Sequence, residues 1–171
     1  VGVSNRGGTN HLALSLLAKA GGIDPKRLKV VVFKTNAEGL TALLGGHIQL
    51  VSSAVATAVG QMRDGKARII SVSARQRMGG DLAQVPTLRE QGYDVSLSNW
   101  RAIIGPRGLG AAQVTYWEDV LAKVVATDEW KAVLDKQFWD GNFLRSREFG
   151  SYMENEYNQT RGIMAELGLV K

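Results

Sequence analysis

Four residues, Gly7, Gly8, Thr9 and Asn10, separate a short apolar run at 1–4 from an amphipathic stretch that begins near His11. Strand, glycine-rich turn and helix start, in that order, open a βα unit. The first backbone N–H groups of such a helix have no partner within it, and that helix end is positive. An anion suits the place. The lysine of a nucleotide-binding loop does not follow the turn, so a carboxylate is a more natural guest than a nucleotide phosphate. The same residues also suit a plain tight βα turn, and the motif alone does not choose between the two.

The alternation continues down the chain. Residues 29–34 (KVVVFK) form an apolar run with charged ends, which predicts a buried parallel strand. Residues 11–20, 37–44 and 54–63 read as helices. The first two stop at glycine pairs, Gly21-Gly22 and Gly45-Gly46, and the third at Asp64-Gly65. Residues 47–51 and 67–73 read as further strands. Strands joined by helices of this length predict βαβ units and a parallel sheet, with ligands at the carboxyl ends of the strands. Three loops then share one edge: 5–10, 35–38 and 52–57. They carry small hydroxyls, amides and glycine, which bind through hydrogen bonds and dipoles and do no covalent chemistry.

The character changes after Ala74. Thr87 reads as an N-cap with Glu90 at capping-box spacing. Residues 95–104 read as a long strand that Gly105-Pro106 breaks. Beyond it the spacing is helical, on faces traced by Val114, Trp117, Leu121 and Val124, by Trp130, Val133 and Leu134, and by Met153, Tyr157, Thr160, Met164 and Leu167. There is no internal repeat and no low-complexity segment.

Composition narrows the function classes. With 171 residues the chain makes one domain, or one lobe and part of another. The net charge of +5 favours anionic partners, but the charges are scattered, so nucleic acid is not expected. Without cysteine there is no disulfide, thiolate metal site or cysteine nucleophile. No apolar stretch approaches the length of a membrane-spanning helix, and no signal peptide is visible. The chain opens directly in VGVS, as expected of a piece whose N-terminus lies further upstream.

Catalytic patterns are weak. His11 and His47 form no ligand pair, no G-x-S-x-G elbow exists, and GPRGLG at 105–110 has the wrong glycine spacing for a dinucleotide turn. No metal, cofactor or paired-carboxylate chemistry is expected. His11 sits in the first helical turn, where packing or capping competes with a ligand role. Arg75, Arg77 and Arg101 each suit a carboxylate as a bidentate partner or a plain solvated surface. Trp100 lies among polar residues, where it lines a cleft or anchors a strand; the other aromatics follow core spacing.

These motifs, in this order, resemble the tripartite tricarboxylate transporter substrate-binding proteins, also called the Bug or TctC family. The matching residues are GGTNHLA, VVVFKTNAEGLTALLGGHIQL and the serines that follow, GKARIISVSARQR, VPTLREQG, NWRAIIGPRGL and the closing LGLVK. The likeness spans essentially the whole chain. Asn10-His11, His47 and Asn99-Trp100-Arg101 are closer to the tricarboxylate-binding branch. Asn5 stands where many relatives have glycine, and Gln49 where aspartate is common.

The resemblance implies a type II periplasmic binding-protein fold, α/β, with ligand held between two lobes that close by a hinge. Residues 1–102 would form the second lobe, a three-layer βα lobe lacking its first elements. Residues 103–171 would form the mainly helical return into a first, incomplete lobe. It implies a non-enzymatic periplasmic solute-binding protein that captures citrate or another di- or tricarboxylate and hands it to membrane transporter subunits. The ligand-binding residues carried over are Gly7, Gly8, Thr9, Asn10, His11, Thr35, Ser52 and Ser53. Apolar surface left uncovered on such a piece makes self-association of the fragment a further expectation. The alternative is the ligand-sensing effector domain of a transcriptional regulator, which shares the fold.

Overall fold

The computed structural model describes residues 1–170; Lys171, the end of the LGLVK motif, lies outside the described residues. The elements are β1 (Gly2–Val3), α1 (Thr9–Ala20), β2 (Val31–Val32), α2 (Asn36–Leu44), α3 (Val55–Arg63), α4 (Ala111–Val125), α5 (Asp128–Gln137) and α6 (Ser146–Glu166). Short 3-10 turns occupy Pro25–Arg27 and Gly80–Leu82. The chain divides into two units. One holds Val1–Asn99 and the chain from Thr160 onward, the other Trp100–Gln159.

In the first unit β1 lies between two parallel neighbours. It pairs with β2 in the register Gly2↔Val31 and Val3↔Val32, and Gly2 bridges to Val51 on its other side. The Phe33 N–H donates to Val3 O at 2.9 Å, and the Ser52 N–H to Gly2 O at 2.9 Å. The carboxyl ends of the three stretches therefore share one edge, where the loops 5–10, 35–38 and 52–57 begin.

The helices follow the sequence closely because their ends are chemically marked. At the end of α1 the Ile23 N–H donates to Ala18 O and the Gly22 N–H to Lys19 O. This closure needs a left-handed residue after the cap, and Gly22 supplies it with φ 74°. The end of α2 repeats the arrangement at Gly46, φ 73°. The buried stripe of α1 is His11, Leu14, Ser15 and Ala18 together with Leu12, the spacing of one helix face. With Val3, Leu40, Val59, Val72, Leu82, Val85, Leu88 and Val95 these side chains form the core of this unit.

The strands are shorter than the sequence pattern suggests. Residues 29–34 do pair in parallel, but Val31 and Val32 are 45% and 49% exposed, not buried. Among the described residues β2 is bonded on one side only, as the edge of the pair. Residues 47–51 keep a single bridge, at Val51. Residues 67–73 form a single bridge, Val72↔Thr87, in place of a strand. Pro86 beside it has no N–H to give, and its carbonyl accepts both the Val72 N–H and the Ser71 hydroxyl. Residues 95–104 also form no strand. Leu97 is held by Ser73 through its N–H and its carbonyl, and Ile103 and Ile104 stand exposed. The capping box at Thr87 is present: its hydroxyl accepts from the Glu90 N–H and the Glu90 carboxylate accepts from the Thr87 N–H. It closes a turn and no helix follows.

The second unit is helical, and none of its described residues is fully buried. Glu118 on α4 accepts from both the N–H and the hydroxyl of Ser146, so it caps α6 from a neighbouring helix. Arg145 bridges Glu118 and Asp119. Phe138 closes α5 at φ 55°, taking the left-handed position that glycine holds elsewhere. Trp100 meets Phe149 edge-on at 5.7 Å between ring centres, and the Arg101 guanidinium lies 3.8 Å over the Trp139 ring.

Two outcomes are expected. Leu82 is 0% exposed, so Leu82→Ala leaves a cavity and lowers the unfolding free energy by ~2–5 kcal/mol in a denaturant titration. Glu90 is held below its ordinary 4.5, first by the Thr87 N–H and then by Arg77, and Glu118 is held below it by the Ser146 hydroxyl. Their support is complete above the ordinary value and disappears as pH falls through the lowered one. Melting temperature therefore drops on acidification below about 4.5, and the drop is smaller in Glu90→Gln and Glu118→Gln, read by thermal melts across pH.

Candidate functional site

The candidate site residues of the first turn gather at the shared carboxyl edge of β1, β2 and Val51. Helix α1 starts at Thr9, two residues earlier than the apolar spacing indicates, with Gly8 as its extended N-cap (φ −77°, ψ 171°). Glycine offers no capping side chain, and none is supplied from elsewhere. Among the described residues the N–H groups of Thr9, Asn10 and His11 meet no protein acceptor. The two preceding amides are used. The Gly7 N–H donates to Nδ1 of His11 at 3.0 Å, and the Gly8 N–H to Asn5 O at 3.3 Å. Gly7 is left-handed (φ 77°), and a Cβ there would lie 3.2 Å from Met164 and 3.4 Å from Leu169. A side chain at this position is both strained and crowded.

Asn10 ties the three loops together. Its carboxamide nitrogen donates to Ser4 Oγ at 3.1 Å and to Asn36 Oδ1 at 2.9 Å. Its backbone carbonyl accepts from Ser52 Oγ at 2.9 Å. The convergence of 5–10, 35–38 and 52–57 is thus made by direct hydrogen bonds. Asn36 and Ser4 are the partners sequence reasoning missed. Asn36 stands beside the recognisable cap Thr35, and Ser4 is the last residue of an apolar run, so neither spacing marks it.

The remaining candidates divide. Thr35 is exposed, and its hydroxyl caps α2 by accepting from the Glu38 N–H at 3.1 Å, while Glu38 accepts from the Lys34 N–H. Ser53 is half-buried at the same edge, its hydroxyl 3.4 Å from the Ala54 carbonyl. His11 is 7% exposed and every buried side-chain polar atom among the described residues has a partner. Burial, and then the Arg6 charge, holds its imidazole below the ordinary 6.5. An N–H directed at Nδ1 needs that nitrogen's lone pair, so the proton of the neutral ring sits on Nε2. His47 is exposed away from His11, and no cluster able to hold a metal ion exists among the described residues. Arg77 pairs with Glu90, and Arg75 lines an open depression of about 470 Å³ with Arg77 and Arg89. Arg101 lies on Trp139.

The arrangement can hold a small anion by several backbone donors at a positive helix end, and it holds no nucleophile or acid–base pair. Residues 2–169 match the family described as the tripartite tricarboxylate transporter family receptor. This chain belongs to that family. Its members are substrate-binding proteins and not enzymes.

The "UPF0065 protein in gbd 5'region" of Cupriavidus necator is 26% identical over 163 residues, 95% of this chain and 48% of that protein. A TctC solute-binding protein from Polaromonas, solved without ligand, is 27% identical with a TM-score of 0.78, covering 97% of this chain and 57% of that one. An R. palustris protein, Rpa4515, solved with adipate, is 22% identical with a TM-score of 0.81, covering 98% and 55%. The chain therefore spans about half the length of these relatives. The fold is that of the periplasmic solute-binding proteins, as the resemblance implied. None of these relatives is described as a transcriptional regulator, and the effector-domain alternative gains no support. No helix of the described residues is long and apolar enough to cross a membrane.

Asn10→Ala removes two side-chain hydrogen bonds and leaves Asn36 and Ser4 without their donor. It is expected to cost ~1–3 kcal/mol in a denaturant titration, and Asn36→Ala about half as much.

Proposed function

We propose that this chain serves in a periplasmic receptor that captures a small di- or tricarboxylate for the membrane subunits of a tripartite transporter. One carboxylate of the ligand sits at the start of α1. The observation that carries the reading is the set of three amides in the first turn, from Thr9, Asn10 and His11, that meet no protein acceptor among the described residues. Charge-assisted hydrogen bonds from backbone N–H groups are roughly twice as strong as neutral ones, and the helix end adds its own positive field. Asn10 fixes that end to the neighbouring loops, so the donors are set before the ligand arrives. Ser52 and Ser53 lie at the same edge as further polar partners. Family membership and the adipate held by one structural neighbour support a carboxylate guest.

Titration calorimetry with adipate, succinate and citrate is expected to show saturable binding for at least one, with none for the matching diamide. An absence of heat with every carboxylate overturns the reading. Thr9→Asp puts a negative charge at the first helical position. It keeps or raises the melting temperature through the helix dipole, yet lowers carboxylate affinity about tenfold or more, a loss of at least ~1.4 kcal/mol.

A further inference from the structure

This inference rests on the carboxylate reading above and adds its control. We propose that His11 is a positioning residue: its Nδ1 takes the Gly7 amide, fixes the turn that presents the Thr9, Asn10 and His11 amides, and gives up the ligand when it takes a proton.

The geometry restricts how the turn responds to His11. The ring is buried against the body of the unit, and the Ser15 hydroxyl holds the backbone carbonyl of the same residue at 2.8 Å, so the part of α1 that carries the ring is fixed. In the turn in front of it Asn5 and Arg6 are exposed, so little packs against their side chains. In the neutral ring Nδ1 accepts the Gly7 N–H at 3.0 Å. A proton on Nδ1 sets a donor against a donor at that distance. The anchored ring stays, so the Gly7 amide turns away and takes the Gly8 N-cap with it. The helix start loses the arrangement that offers its amides together.

The surroundings of the ring set the direction of the effect. A cavity of about 190 Å³ beside His11 is lined by Arg6 from the turn and Lys26 from the 3-10 segment, with Leu28, Val32, Leu167 and Leu169 supplying apolar surface. No carboxylate lines it among the described residues. Burial opposes a positive charge on the ring, and the Arg6 charge adds to it, so protonation falls below the ordinary 6.5. At neutral pH the ring is an acceptor and the turn is set; on acidification it lets go.

The coupling is reciprocal. If a proton on His11 weakens binding, bound carboxylate must lower the affinity of His11 for that proton. Simple attraction between an imidazolium and an anion gives the opposite sign. The two accounts therefore separate in one measurement.

The test is nitrogen-15 NMR of the chain between about pH 5 and 8, with and without adipate or citrate as probe, beside calorimetry over the same range. The expected result is an Nε2–H tautomer at neutral pH, a Gly7 amide that shifts with the His11 titration, and a His11 midpoint that moves down when the probe is present. His11→Asn retains an oxygen acceptor near the place of Nδ1 and does not titrate. It is expected to bind within about threefold of the parent with only the probe's own pH dependence, whereas His11→Leu loses about tenfold at every pH.

An Nδ1–H tautomer, a Gly7 amide indifferent to His11, or a midpoint raised by the probe overturns the proposal. If the parent binds no carboxylate at any pH, the function proposed above fails. The proton link between His11 and Gly7 is then decided by the ligand-free titration alone, which needs neither variant to fold.

Discussion

The Asn10 carboxamide donates to Ser4 and Asn36 while its carbonyl receives Ser52. Those partners come from the loops after β1, after β2 and after Val51. The sheet is small, with two residues in each strand and one further bridge, so ladder hydrogen bonds alone do little to fix its edge. A side chain on the first turn of α1 does that instead. Each of these bonds contributes only about 1 kcal/mol net, but together they set the direction of the helix start relative to the strands. The open amides of Thr9, Asn10 and His11 have their direction because Asn10 is held.

The polar groups at this edge divide their work. Gly7 and Gly8 satisfy the turn itself, Thr35 and Glu38 finish α2, and Ser52 closes on Asn10. What remains with unspent hydrogen-bonding capacity is the first turn of α1. In general, a set of donors whose scaffold is internally satisfied has little to reorganise when a ligand meets it.

Much of this was legible in the residues. Helix ends were, because the glycine pairs after 20 and 44 act locally and owe nothing to the rest of the fold; the Thr87–Glu90 box formed as read, but it closes a turn and starts no helix. The meeting of three loops followed from strand–helix alternation. Strand lengths did not follow. An apolar run such as 29–34 reads the same whether it lies inside a sheet or on its edge, and in 67–73 the Ser71 and Ser73 hydroxyls donate to the carbonyls of Pro86 and Leu97, side-chain bonds that an apolar pattern does not report. The bond from Gly7 to His11 joins a backbone donor to a side-chain acceptor, a relation periodicity does not report. The second unit shows the same limit. Its helices were evident, but Glu118 capping α6 across a 28-residue separation and Phe138 in a left-handed turn were not.

The central place of β1 carries a consequence for biosynthesis. Residues 2 and 3 leave the ribosome among the first of this stretch, yet their partners are Val31 and Val32 on one side and Val51 on the other. An early strand with two late neighbours has to wait, its Val3 side chain uncovered, until more than one helix has been synthesised behind it. Non-local parallel pairing of this kind is slow and exposed to aggregation. A helper that shields nascent apolar chain, or a pause in translation after residue 51, would act within this interval.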